Sequence, residues 1–114
     1  MTDKAPKLLL DALGAIESAQ EFIAGHTLQS YEQDKLRRSA VEPQLEILGE
    51  ACARLVRLDP SIQVQAPELK LAIDLRNRII HGYDAVDDEI VFLTVFEDLN
   101  PLKQFLTKQL ALRG

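Results

Sequence analysis

Apolar residues recur along most of this chain at intervals of three and four, the spacing that gathers side chains on one face of a helix. Between residues 6 and 25 the stripe is Leu9, Leu10, Leu13, Ile16, Ala19, Phe22 and Ile23, with Asp11, Glu17, Ser18 and Glu21 on the other side. Pro6 suits the first turn of such a helix and Gly25 its end. Ser30-Tyr31-Glu32-Gln33 has the form of a capping box and predicts a second helix from Tyr31. Its inward positions are Leu36, Ala40, Val41, Leu45, Leu48, Cys52 and Leu55. Pro43 falls inside it and predicts a kink in one long helix. Ser39-Ala40-Val41-Glu42 is a further capping box, which would restart the helix if Pro43 broke it.

Asp59-Pro60 ends that helix, and residues 61–67 read as a connector. A third helix is predicted over 68–82, with Leu69, Ala72, Ile73, Leu75, Ile79 and Ile80 partly buried. Residues 84–88 form an acidic loop in which Asp87 or Asp88 can cap the next helix. The last stripe, over 89–112, is interrupted at Asn100-Pro101. The pattern predicts an all-α fold: an antiparallel bundle of four to five helices in a single domain, residues 1–114.

Composition narrows the class. With 46% hydrophobic and 27% charged residues the chain is an ordinary globular one. No run approaches the roughly 20 apolar residues that cross a bilayer, and Asp3, Pro6 and Asp11 interrupt any export signal, so a cytoplasmic protein without a membrane is expected. The single cysteine, Cys52, cannot form an internal disulfide, and its place on an apolar stripe reads as a small core residue. A net charge of −5 argues against a protein that coats nucleic acid non-specifically. It leaves room for a local site fed by Lys35, Arg37, Arg38, Lys70, Arg76 and Arg78. His26 has no second ligand at metal spacing and reads as a solvated loop residue. Nothing calls for a metal or a cofactor.

The chemistry concentrates in Leu75-Arg76-Asn77-Arg78-Ile79-Ile80-His81-Gly82-Tyr83-Asp84. On a helix Asn77 and His81 are one turn apart, so the carboxamide could fix the imidazole's tautomer. Arg76 and His81 are five apart, about 140° round the helix. To share one phosphate they need a bend, a helix end or a second copy of the chain. Gly82 is a plausible helix end. RNA carries its own nucleophile, the 2′-hydroxyl. His81 can serve as base or acid, and Arg76 as the fixed cation on the phosphate. Glu46 and Glu50, one turn apart, read either as a solvated acidic face or as a carboxylate that holds a motif arginine. The plainer alternative for the motif is a salt-bridged helix surface of Asp74, Arg76 and Arg78, with His81 facing the helix dipole.

Arg76, four residues, His81, one residue and Tyr83 together resemble the motif of HepT-type HEPN proteins. Glu46-Ile47-Leu48-Gly49-Glu50-Ala51 resembles that family's second-helix signature, and Val86-Asp87 with Ile90-Val91 the segment after the motif. The resemblance covers about residues 6–112. It implies a HEPN-like bundle and the toxin half of a HEPN/MNT toxin–antitoxin pair. It also implies a metal-independent endoribonuclease whose cleft lies between the copies of a homodimer. One chain carries one motif histidine; a two-fold dimer would supply acid, base and two cations. The roles implied are phosphate charge for Arg76, proton transfer for His81, orientation for Asn77, and substrate positioning for Arg78 and Tyr83. The implied partner is an MntA-type minimal nucleotidyltransferase antitoxin, which silences such toxins by placing AMP on the motif tyrosine, here Tyr83. The sequence departs from those relatives in three places: no Trp in the connector, Asp74 where they carry Gly, and Phe92 at a later Trp position. A competing reading keeps the bundle as a non-catalytic module that docks a nucleotidyltransferase or binds nucleotide.

Overall fold

The computed structural model describes residues 3–81 and 87–113. Its first helix, α1, spans Ala5–Ile23 and buries Leu9, Ala12, Leu13, Ile16, Ala19 and Ile23, one face at helical spacing. Leu10 lies beside that face and is exposed. The chain leaves α1 through Gly25 at φ 79°, a conformation open to glycine without a Cβ clash, and His26 N–H closes the turn on the Ile23 carbonyl at 2.9 Å.

The next start differs from the expectation. Thr27, not Ser30, caps a short α2, Leu28–Glu32. Thr27 Oγ1 accepts from Ser30 N–H at 3.1 Å, and Ser30 Oγ accepts from Thr27 N–H at 3.0 Å. Ser30 is thus spent inside a reciprocal cap and cannot begin a helix at Tyr31. The long helix, α3, begins four residues later at Lys35–Leu58, capped by Asp34, whose Oδ1 accepts from Arg37 N–H at 3.0 Å. That hydrogen bond holds the Asp34 carboxyl below its ordinary pKa. The new start also moves Leu36. It precedes Val41 by five positions, about 140° away from the buried face of Val41, Leu45, Leu48, Cys52 and Leu55, and it is 85% exposed.

A single α3 runs through Pro43, and the capping box at Ser39 goes unused. Cys52 sits fully in the core, where burial pushes its thiol pKa up to about 12. The connector contains a helical turn, α4 (Ser61–Gln65), which buries Ile62. Then α5 spans Glu68–His81. Asp87 caps α6 (Asp88–Leu93), its Oδ1 accepting from Glu89 N–H at 2.9 Å.

The expected interruption at Asn100-Pro101 lies one turn upstream. Residues Thr94–Asp98 form a π-helical turn, and α7 then runs Leu99–Arg113 with Pro101 in its first turn. Proline cannot donate to the Glu97 carbonyl four residues back, so the ladder must rearrange before it. Gln20 Nε2 reaches in from α1 and donates to the Val95 carbonyl at 3.4 Å and to Asn100 Oδ1 at 3.0 Å. Phe92 is buried, with ring centroids 5.6 Å from Tyr31 and 5.7 Å from Phe96.

The helices assemble as an antiparallel bundle around α1. The start of α1 lies against the end of α3, where Lys4 and Lys7 share a hollow with Arg54 and Arg57. Its end lies against the start of α3, where Arg37 Nη1 donates to the Phe22 carbonyl. The same reversal relates α1 and α7, since Gln20 meets Asn100 while Asp3 pairs with Arg113. On the other flank of α3 packs α5, and that contact builds the site. Among the described residues there is no strand, and no helix is long and apolar enough to cross a membrane.

Candidate active site

Helices α3 and α5 meet at Gly49. A Cβ on that residue would stand 2.2 Å from Arg76 Cβ and 2.9 Å from the Ala72 carbonyl oxygen. The missing side chain is what lets the two backbones approach this closely. The arginine stem therefore lies flat on α3, and its guanidinium arrives beside the next residue of α3, Glu50.

The arrangement around Arg76 is specific. Its Nη2 donates to Glu50 Oε2 at 2.9 Å and its Nη1 to Asn77 Oδ1 at 3.1 Å. Nε is buried without a partner. By donor count, each terminal nitrogen keeps one further N–H for another ligand. The other oxygen of Glu50 accepts from Arg54 Nε at 2.8 Å and lies 4.0 Å from Arg57 Nη2. The Arg54 hydrogen bond, with the positive charges of Arg76, Arg54 and Arg57, holds the Glu50 carboxyl below its ordinary pKa. Glu50 is thus an ionised bridge that fixes Arg76 from one side and is itself fixed from the other.

Arg76 opens onto a groove of about 520 Å³ between α1, α3 and α5, whose walls include Leu8, Asp11, Glu46, Arg54 and Ile80. His81 is not among its lining residues. It is the exposed last residue of α5, and the helix is continuous from Arg76 to it. Two side chains five apart on such a helix leave it about 140° apart. One chain thus brings Arg76, Asn77 and Glu50 together, and His81 does not line their groove. Arg78 and Asp74 are exposed and do not pair with each other. Tyr83, with Gly82 and Asp84, lies outside the described residues. His26 Nδ1 is 3.1 Å from Ser30 Oγ, within the α2 cap.

Chemically, an anchored guanidinium with spare N–H groups suits a phosphate, and an exposed imidazole suits proton transfer. Residues 12–109 match the family described as ribonuclease HepT-like. The chain belongs to that family. It is 33% identical over 95 residues to a protein of Thermococcus cleftensis described as a probable ribonuclease HepT, an alignment covering 83% of this chain and 86% of that relative. No solved structure gives a significant match. The span shared with HepT-like ribonucleases contains α3 and α5 whole, and so all of the Arg76–Glu50 arrangement.

Two features of the groove in this HepT-like chain were not read from the sequence. Arg54 follows Glu50 by four residues, an ordinary helix ion-pair spacing that would have marked it. Of the six cations expected to feed a local site, Arg76 lines the groove. Arg37 and Arg38 are spent at the α2–α3 junction, on Asp34, Asp88 and the Phe22 and Glu32 carbonyls. Lys35, Lys70 and Arg78 are exposed but do not line the groove.

Proposed function

We propose that this HepT-like chain is a metal-independent endoribonuclease, the toxin of a HEPN/MNT toxin–antitoxin pair, acting in the cytoplasm as a homodimer. The observation that carries the reading is the divergence of Arg76 and His81 on one unbroken α5. A single chain presents the cation on one side and the proton carrier on another; a two-fold axis beside α5 supplies both to one cleft.

In that cleft one His81 takes the proton of an RNA 2′-hydroxyl, and the freed oxygen attacks the adjacent phosphorus. The bond from phosphorus to the 5′-oxygen breaks, and the second His81 protonates that oxygen. The products are a 2′,3′-cyclic phosphate and a 5′-hydroxyl. Arg76 stabilises the charge gathering on the phosphoryl oxygens, held ready by Glu50 and Asn77. Arg78 and Tyr83 position the strand.

The antitoxin is a minimal nucleotidyltransferase of MntA type. The Tyr83 hydroxyl attacks the α-phosphorus of ATP, pyrophosphate leaves, and the tyrosine carries AMP. Mass spectrometry of the co-expressed pair finds AMP on Tyr83; an unmodified Tyr83 in a silenced complex removes this part of the account.

The catalytic claim is tested by incubating the purified protein with RNA in EDTA. Cleavage yields cyclic-phosphate ends, and His81→Ala lowers the rate by about a hundredfold or more while the dimer persists on size exclusion. Cleavage that survives His81→Ala ends the assignment. Intact RNA together with tight ATP binding favours the non-catalytic module instead.

A further inference from the structure

The groove in front of Arg76 does not end there. A second hollow, about 610 Å³, adjoins it and shares Leu8, Asp11 and Arg54 with it. Its cations are Lys4 and Lys7 from the start of α1 and Arg57 from the last turns of α3. Together the two hollows collect five of the 13 basic residues on one seam of a chain whose net charge is −5.

The carboxylates along the seam are largely engaged. Asp11 pairs with Lys7 at 3.0 Å, Asp3 with Arg113 at 3.5 Å, and Glu50 with Arg76 and Arg54. Glu46 makes no ion pair among the described residues. Against these, Lys4 has no ion-pair partner among the described residues, and Arg57 is held at 4.0 Å with its side chain 70% exposed. Along α3, Arg54 and Arg57 follow Glu50 by four and seven positions, about 6 and 10 Å of axial rise. Positive charge therefore recurs in steps leading away from Arg76.

We propose that the α1–α3 seam is the path of a single-stranded RNA backbone, with Arg57, Lys7 and Lys4 binding the phosphates next to the one held by Arg76. The identity of the ligand rests on the ribonuclease reading above. No aromatic side chain lines either hollow among the described residues, so there is no platform on which bases could stack. Recognition along the seam is by charge: steeply salt-dependent and indifferent to base identity.

The test is fluorescence anisotropy with an uncleavable 2′-O-methyl oligonucleotide of about twelve nucleotides. Wild type is compared with the double variant Lys4→Glu/Arg57→Glu, and with Lys108→Glu, an exposed α7 lysine, as a control for charge reversal off the seam. The double variant binds at least about tenfold more weakly, and its slope of log affinity against log salt is shallower by about 1.4, two phosphate contacts at 0.7 each. Lys108→Glu changes little. Should the charge reversals disturb folding, seen as a lowered melting temperature, Lys4→Ala/Arg57→Ala gives the same loss of slope. A double variant indistinguishable from the Lys108 control, or a wild type that does not bind the oligonucleotide, overturns the proposal. Because binding is read without cleavage, a wild type that binds but never cuts RNA overturns the nuclease reading alone.

Discussion

Replacing Gly49 by alanine puts a methyl group 2.2 Å from Arg76 Cβ, against backbone as well as side chain, so the helices must part. The expected cost is about 1–3 kcal/mol in a denaturant melt, with cleavage lost beyond what the melt explains because Arg76 is displaced. Glu50→Gln asks a different question, since it keeps an acceptor and removes the charge. Both partners of the Arg76 pair are partly solvated, 28% and 36% exposed, so the stability loss is about 1 kcal/mol or less while cleavage at neutral pH drops about tenfold or more. The sign with pH follows from the depressed Glu50 carboxyl. Its contribution is complete above the ordinary carboxylate range and disappears as pH falls through the lowered folded value, so the melting temperatures of wild type and Glu50→Gln converge in acid. A gap that widens on acidification contradicts the pairing.

At the scale of elements, Pro43 costs α3 a hydrogen bond to the Ser39 carbonyl, and its ring is exposed rather than packed. Pro43→Ala should therefore raise stability by about 1–3 kcal/mol, read as a higher melting temperature; a lower one means the proline shapes a contact α3 depends on. The long helices were legible because their apolar faces repeat over many turns: α1, α3 and α5 fall where Leu9 to Ile23, Val41 to Leu55 and Leu69 to Leu75 put them. Short-range competition was not legible. Thr27 and Gln33 flank Ser30 with equally good capping chemistry, and the Thr27 box wins, which buries Tyr31 and turns Leu36 to solvent. The π turn follows from the donor that Pro101 lacks, and the Gln20 side chain that caps its Val95 carbonyl comes from α1, which no local pattern reveals. The site was half legible: the motif marked Arg76 and Asn77, whereas the choice of Glu50 over Glu46 depends on where Gly49 lets α5 land.

For the whole molecule the proposal rests on the roughly 140° that an unbroken α5 puts between positions 76 and 81. A net charge of −5 is compatible with RNA contacts confined to the proposed cationic seam. If two copies make one active cleft, specific activity belongs to the dimer and not to the chain. The most direct measurement is cleavage rate per chain followed through serial dilution, alongside the dimer fraction from sedimentation at the same concentrations. The rate per chain should fall in step with the dimer fraction and approach zero for the monomer. A monomer that cuts RNA at the undiminished rate per chain would show that the two groups meet within one chain, contrary to the geometry of α5.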